Sequence, residues 1–279
     1  MPSDLTWTPV EPDLEAAFAR YPDPLRALSE ARLPAIILRR AYDPAHCQGL
    51  IRRFIGRGLM PAPEDPALAT EPRRRFDIGT SLGNLGSDQE AFLRHAVGTH
   101  ELFKTLFEGF QNPVKVMYDA LSALAVGKQV KTAREPDGRL YGPAIFRIHF
   151  SDHAYKPHID HVSLREKRFN YAVSRFEHQF AGVLCVQNDA HEGGSTQAIL
   201  HHCLWTPEVQ PAIQDGTFDA YAAERGIGHY SVHLEQGDLY FFNTRCIHEV
   251  PAIQGKQPRI VLAVFIGYSP EDREIFVWS

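Results

Sequence analysis

The chain has 279 residues, 44% hydrophobic and 23% charged, a globular composition with enough length for a sizeable core, which argues against disordered and fibrous classes. Its 29 Lys and Arg against 34 Asp and Glu leave a net charge of −5, so no overall charge recruits nucleic acid or an anionic membrane surface. The longest apolar run, residues 260–266, is far below the roughly 18 residues of a membrane span. The N-terminal residues carry no basic segment followed by an apolar one. Four cysteines, Cys47, Cys185, Cys203 and Cys246, lack the density of a disulfide scaffold and the spacing of a zinc finger. The expectation is a soluble, cytoplasmic protein with neither a nucleic-acid nor a membrane partner.

Along the chain the periodicity changes type. Residues 1–127 read mostly as helix, with one short strand at residues 35–39. Asp43-Pro44 sets an N-cap acid and a first-turn proline before a helix that carries Leu50, Phe54 and Ile55 on one face. The Pro-rich stretch at residues 60–66 reads as a loop. Ser87-Asp-Gln-Glu90 has the pattern of a capping box, followed at helical spacing by Phe92, Val97, Leu102, Phe103, Leu106 and Phe107. Asn112-Pro113 starts a further helix through Val116, Leu121 and Leu124, which Gly127 stops. From residue 140 short β-rich runs recur at 144–150, 180–186, 196–200, 230–234, 238–242 and 259–265, interrupted by a helical insertion at 207–225. Close-spaced short strands predict an antiparallel sandwich or barrel rather than βαβ units. The fold expected is mainly β with α: a double-stranded β-helix (a cupin-like jelly roll) supported by N-terminal helices. A single domain is expected over 1–279, with 1–142 as mainly helical support and 143–279 as the core carrying the metal site.

The chain has fourteen histidines, and their placement carries the chemistry. In His158-Ile159-Asp160, positions i and i+2 of a strand point to one face, so an imidazole and a carboxylate can converge on one ion. His248 follows 90 residues later, after the run 239–243, and Arg259 opens the next apolar strand. Two imidazoles and one carboxylate leave three positions of an octahedron open, the facial triad of non-heme Fe(II), where a co-substrate and O2 must both reach the metal. A guanidinium beyond the third ligand suits a dicarboxylic co-substrate, since its planar fork can hold the distal carboxylate while the other end chelates iron. HxD alone is a weak signal; the alternative reading makes His158 and Asp160 a surface pair and Arg259 a salt-bridge partner.

The order His158-Ile-Asp160, residues 237–243 (Gly-Asp-Leu-Tyr-Phe-Phe-Asn), His248 and Pro258-Arg259 resembles the Fe(II)/2-oxoglutarate-dependent oxygenases. More narrowly it resembles the carrier-independent group that contains the aliphatic halogenases of hapalindole and welwitindolinone biosynthesis. The similarity runs from about Leu33 to the C-terminus and includes residues 36–55, 138–147, Glu192-Gly-Gly194 and 275–279. The resemblance implies that His158, Asp160 and His248 hold the iron, that Arg259 anchors 2-oxoglutarate, and that Arg147 lies near the co-substrate. In the halogenating members a small residue replaces the carboxylate ligand and chloride takes the vacancy. Asp160 fills that position here, so the reaction implied is hydroxylation of an aliphatic C–H of a free small molecule, with release of succinate and CO2. The cofactors implied are Fe(II), 2-oxoglutarate and O2. A non-catalytic cupin-like protein holding a metal or small ligand is the rival reading, and a halogenase-related enzyme a third.

The other histidines read as decoys. His149 shares strand parity with Arg147, so both could face the interior, His153 crowds the same stretch, and His161 points away from Asp160. His191, His201, His202, His229 and His233 read as surface or structural residues. Residues 164–175 carry Arg165, Lys167, Arg168 and Arg175 among Phe169 and Tyr171. Such a connection reads either as a solvated loop or as a lid favouring an anionic substrate. Ser195, Thr196 and Asn243 are weighed as hydroxyl or amide donors to substrate, against structural roles. Phe146, Ile159 and Val162 are core candidates first.

Overall fold

A computed structural model describes residues 7–65, 68, 75–150, 154–188, 196–253 and 257–279. The elements run α1 (Leu14–Arg20), α2 (Pro24–Ser29), β1 (Ala35–Leu38), α3 (Pro44–Gly56), β2 (Arg75–Gly79), α4 (Leu82–Leu85), α5 (Gln89–Leu106), α6 (Pro113–Leu124) and β3 (Gln129–Thr132). There follow β4 (Ile145–His149), β5 (Tyr155–His158), β6 (His178–Gln187), β7 (Thr196–Leu204), α7 (Gln210–Gln214), α8 (Phe218–Glu224), β8 (His229–His233), β9 (Leu239–Asn243), β10 (Cys246–Val250), β11 (Arg259–Tyr268) and β12 (Glu274–Trp278).

Helix starts follow the cap chemistry. The Asp43 carboxylate accepts from the Ala45 amide at 2.8 Å, and the Asn112 side chain accepts from the Val114 amide at 2.9 Å. At α5 the cap is Asp88, accepting from Ala91 at 3.0 Å, one residue beyond the Ser87 of the expected box. An Asp accepts an amide as well as Ser does, so the neighbouring residue captured the role. Val97, expected on the apolar stripe, is 62% exposed. The helical reading of residues 1–127 omitted β2, and the 207–225 insertion is two short helices, α7 and α8.

Among the described residues, one sheet holds eight strands in the order β1-β9-β6-β11-β12-β3, with β4 pairing β11 and β2 pairing β4; a second runs β5-β10-β7-β8. All pairs are antiparallel except β12 with β3. Side chains alternate across the large sheet. Phe146, Ile148, Leu184, Phe241, Ile260 and Leu262 leave one face and pack with Leu50, Phe54, Phe103 and Leu121 of the helices. The rings of Phe54 and Phe146 meet edge-to-face, centroids 4.8 Å apart. The opposite face sends Val183, Tyr240, Phe242 and Val261 against Ala198, Leu200 and Val232 of the second sheet. A strand buried on both faces reads as one continuous apolar run, which is why β6 and β11 stand out in the sequence. The turn before β9 is tied to the end of β1: Asp238 accepts from the Arg40 amide at 2.9 Å and from Arg39 Nη1 at 2.7 Å. Among the described residues no helix is long and apolar enough to cross a membrane.

Candidate metal centre and its pocket

Strand pairing brings the two histidines together. His248 lies within β10, not beyond a strand end as its spacing suggested, and its Cα partner on β5 is His158. Their ring centroids are 4.3 Å apart. Each Nδ1 meets the carbonyl two residues back, His158 on Lys156 at 2.7 Å and His248 on Cys246 at 2.9 Å. A carbonyl only accepts, so both Nδ1 atoms carry the proton and both Nε2 lone pairs are left for an ion.

Asp160 lies just past the end of β5, so its convergence on His158 does not come from strand alternation. The tether is Thr244: the Asp160 amide donates to the Thr244 carbonyl at 3.0 Å, and the Thr244 hydroxyl donates to the Asp160 carbonyl at 2.6 Å. The two carboxylate oxygens have different neighbours. Oδ2 stands 3.8 Å from His158 Nε2 and 3.6 Å from His248 Nε2, while Oδ1 accepts from Arg165 Nη1 at 2.5 Å. Among the described residues these three side chains form the cluster able to hold a metal, with ligand atoms within 4.8 Å of one another. Neighbouring ligands on an ion about 2.1 Å away stand roughly 3 Å apart, so the triad needs only a small closure. Burial, then the neighbouring His248, draws the His158 imidazole down to about 4, leaving it at pH 7 in the neutral form that a metal needs. Burial works against the charged Asp160 carboxylate, and the Arg165 guanidinium on Oδ1 favours it. Two imidazole nitrogens and one carboxylate oxygen are the donor set of non-heme Fe(II).

The centre opens into a cavity of about 290 Å³ between the sheets. Arg259, 1% exposed, heads β11 as the Cα partner of His149, and its Nη2 donates to the Pro251 carbonyl at 3.2 Å. Arg147 is the partner of Val261 one row away, so Arg147, His149, Arg259 and Val261 share the pocket face. The Arg147 Nε is buried without a hydrogen-bond partner, and its guanidinium lies 6.0 Å from the Phe265 ring centroid.

Sequence reasoning missed the wall beside them. On β2, Arg75 grips Asp77 (2.8 and 2.6 Å) and donates to the Tyr155 hydroxyl at 2.8 Å, which lies 3.2 Å from His149 Nε2. The signal was present: in Arg75-Phe-Asp-Ile-Gly79, polar and apolar residues alternate up to a glycine.

The 164–175 connection divides. Arg165 and Arg168 line the pocket, Arg168 pairing with Glu166 at 3.2 Å, whereas Arg175 is held away by Asp272 and Glu274 and Phe169 is 69% exposed. Asn243 is buried outside the pocket, donating to the carbonyls of Leu28 and Ser29, so it is no substrate donor. Thr196 pairs with His233 across β7 and β8, and its neighbour Gln197 faces the cavity. His149 lines the pocket without joining the ligand cluster. His161 also borders it, and its Nδ1 accepts from the Ser163 and Leu164 amides. His201 pairs with Glu249, His202 stacks on Trp7, and His229 and His233 are exposed. Phe146 and Ile159 are core; Val162 is core and also borders the pocket. His153, His191, Glu192-Gly-Gly194 and Ser195 lie outside the described residues.

A family model described as carrier-protein-independent halogenase WelO5 matches residues 10–279. An N-substituted L-amino acid dioxygenase from Burkholderia ambifaria AMMD is similar in structure, with a TM-score of 0.61 and 14% identity over 91% of this chain and 90% of that one. The same enzyme in complex with alpha-KG gives 0.59 and 13% over 91% and 90%. At these identities the likeness concerns the fold. No protein of curated function matches the sequence.

Proposed function

We propose, from the premise that the chain belongs to the carrier-protein-independent halogenase WelO5 family, that it is an Fe(II)/2-oxoglutarate-dependent dioxygenase that hydroxylates rather than halogenates. The observation that carries this reading is the Asp160 carboxylate, whose Oδ2 faces both imidazoles while Arg165 occupies Oδ1. An anionic oxygen held there competes for the ligand position that a halide needs. The two facing sheets fit a double-stranded β-helix.

The residues divide the work. His158, His248 and Asp160 would hold iron, the imidazoles oriented by the Lys156 and Cys246 carbonyls and the carboxylate by Arg165, which donates to its Oδ1. Arg259, buried and planar, would take the distal carboxylate of 2-oxoglutarate through two parallel hydrogen bonds. Val183, Tyr240, Phe242 and Val261 keep water from the cavity wall, which strengthens the polar contacts inside. With iron bound, the chemistry supplied is oxidative decarboxylation: 2-oxoglutarate and O2 give succinate and CO2, and the second oxygen atom enters a substrate C–H as hydroxyl. The substrate is a small molecule, and the cationic lining favours one that is anionic.

The test is turnover of a panel of small carboxylates, amino acids and alkaloids with Fe(II), 2-oxoglutarate and isotopically labelled dioxygen in chloride buffer. Succinate together with a product carrying one labelled oxygen is expected. A chlorinated product would reassign the chain to halogenation, and no succinate with any substrate would favour the non-catalytic cupin-like reading.

A further inference from the structure

Two imidazoles and one carboxylate oxygen leave three positions of an octahedron open; 2-oxoglutarate chelates two of them, and O2 needs the third. That count holds only while Asp160 ligates through a single oxygen. A carboxylate with both oxygens on the metal would close the position that O2 needs.

Thr244 fixes the Asp160 backbone at its amide and its carbonyl. The carboxylate itself stays free to turn, because the χ2 torsion of an aspartate is broad. Arg165 supplies the missing restraint. Its Nη1 donates to Asp160 Oδ1 at 2.5 Å and to the Ile159 carbonyl at 2.9 Å. Oδ2 is left facing the imidazoles, 3.8 Å from His158 Nε2 and 3.6 Å from His248 Nε2. A tight turn places the guanidinium there. The Arg165 and Glu166 amides donate to the His161 carbonyl at 3.1 and 3.2 Å, and the Ser163 and Leu164 amides donate to His161 Nδ1. The chain thus folds back on the residue that follows Asp160, within reach of its carboxylate. Arg168, on the same turn, goes instead to Glu166 and to the Gly83 carbonyl.

We propose that Arg165 is a positioning residue that confines Asp160 to one-oxygen ligation and so keeps the third open position free for O2. This rests on the dioxygenase reading and deepens it. It gives Arg165 a role at the metal rather than on an anionic substrate.

Counting the waters on Mn(II) tests it without turnover. Mn(II) alone is added to the protein, and its bound waters are counted by electron–nuclear double resonance in isotopically labelled water. The wild type should carry three, falling to one when 2-oxoglutarate is added. Arg165→Ala should carry two, and then none. Its Mn(II) affinity should fall by no more than about 100-fold, the range for a residue that orients a ligand. Arg165→Lys keeps a charged donor and should restore three. Arg168→Ala alters the same turn without touching Asp160 and should also keep three. The Arg165 side chain is 44% exposed, so its removal leaves no core cavity, and melting curves check the fold of each variant. The inference is overturned if the wild type carries two waters, if Arg165→Ala keeps three or loses Mn(II) altogether, or if Arg168→Ala drops to two. A wild type that binds no Mn(II), or binds it without taking 2-oxoglutarate, would instead bring down the dioxygenase reading and this inference with it.

Discussion

Replacing Arg259 by Gln tests the co-substrate anchor. The side chain is 1% exposed and sits on the pocket face opposite His149, so solvent screening gives little discount. A hydrogen-bonded charged pair in such a place contributes ~2–3 kcal/mol, which converts to a roughly 30- to 150-fold weaker Kd for 2-oxoglutarate. The informative comparison is with 2-oxovalerate, which chelates through the same 2-oxo acid group but lacks the distal carboxylate. The wild type should prefer 2-oxoglutarate by that same factor, and Arg259→Gln should bind the two alike. Arg259→Lys keeps the charge and loses the fork, so an intermediate preference is expected. Anaerobic calorimetry on the Fe(II)-loaded protein reads all three. If Arg259→Gln retains the wild-type preference for 2-oxoglutarate, the distal carboxylate is held elsewhere and the assignment fails.

Further outcomes follow from burial and backbone geometry. Burial holds His158 and His161 neutral in the folded, metal-free protein, each drawn down to about 4. The unfolded chain protonates them near pH 6.5, so below that pH it binds more protons and stability falls as pH drops from about 6.5 to 4, on the order of 3 kcal/mol per imidazole. Denaturant midpoints that stay level across this window would contradict it. Gly237 holds φ at +92°, and a Cβ there would run into the Tyr42 carbonyl; Gly237→Ala should cost about 3 kcal/mol or more, read as a lowered melting temperature. Burial pushes the thiols of Cys47 and Cys246 up to about 12 and that of Cys185 higher still. Labelling at pH 8 should therefore reach half-buried Cys203 first, and the other three only on unfolding; fast labelling of Cys47 would refute this.

What could be read from the sequence was what repeats or what caps. Asp43-Pro44 and Asn112-Pro113 announced their helices because local chemistry alone decides a cap. The β6 and β11 runs announced themselves because burial on both faces leaves no polar residue to break them. Ser87 and Asp88 are equally good acceptors, and only packing chose between them. The triad's members were visible as residue types, but the route to convergence was not: Asp160 is aimed by Thr244, 84 residues away in sequence, and not by strand alternation. His248 looked like a strand end because β10 is short and mixed, with Cys246, His248 and Glu249 among its five residues. The Arg75, Asp77 and Tyr155 wall needed the β2–β4 pairing, a non-local contact that no periodicity encodes.

The most direct test of the central claim is anaerobic titration of the purified protein with Fe(II) and 2-oxoglutarate, followed through the visible metal-to-ligand charge-transfer band. A band that forms in the wild type and is lost in His158→Ala is the predicted result. A wild type with no band, or a His158→Ala variant with an unchanged one, would contradict the assignment of the iron centre.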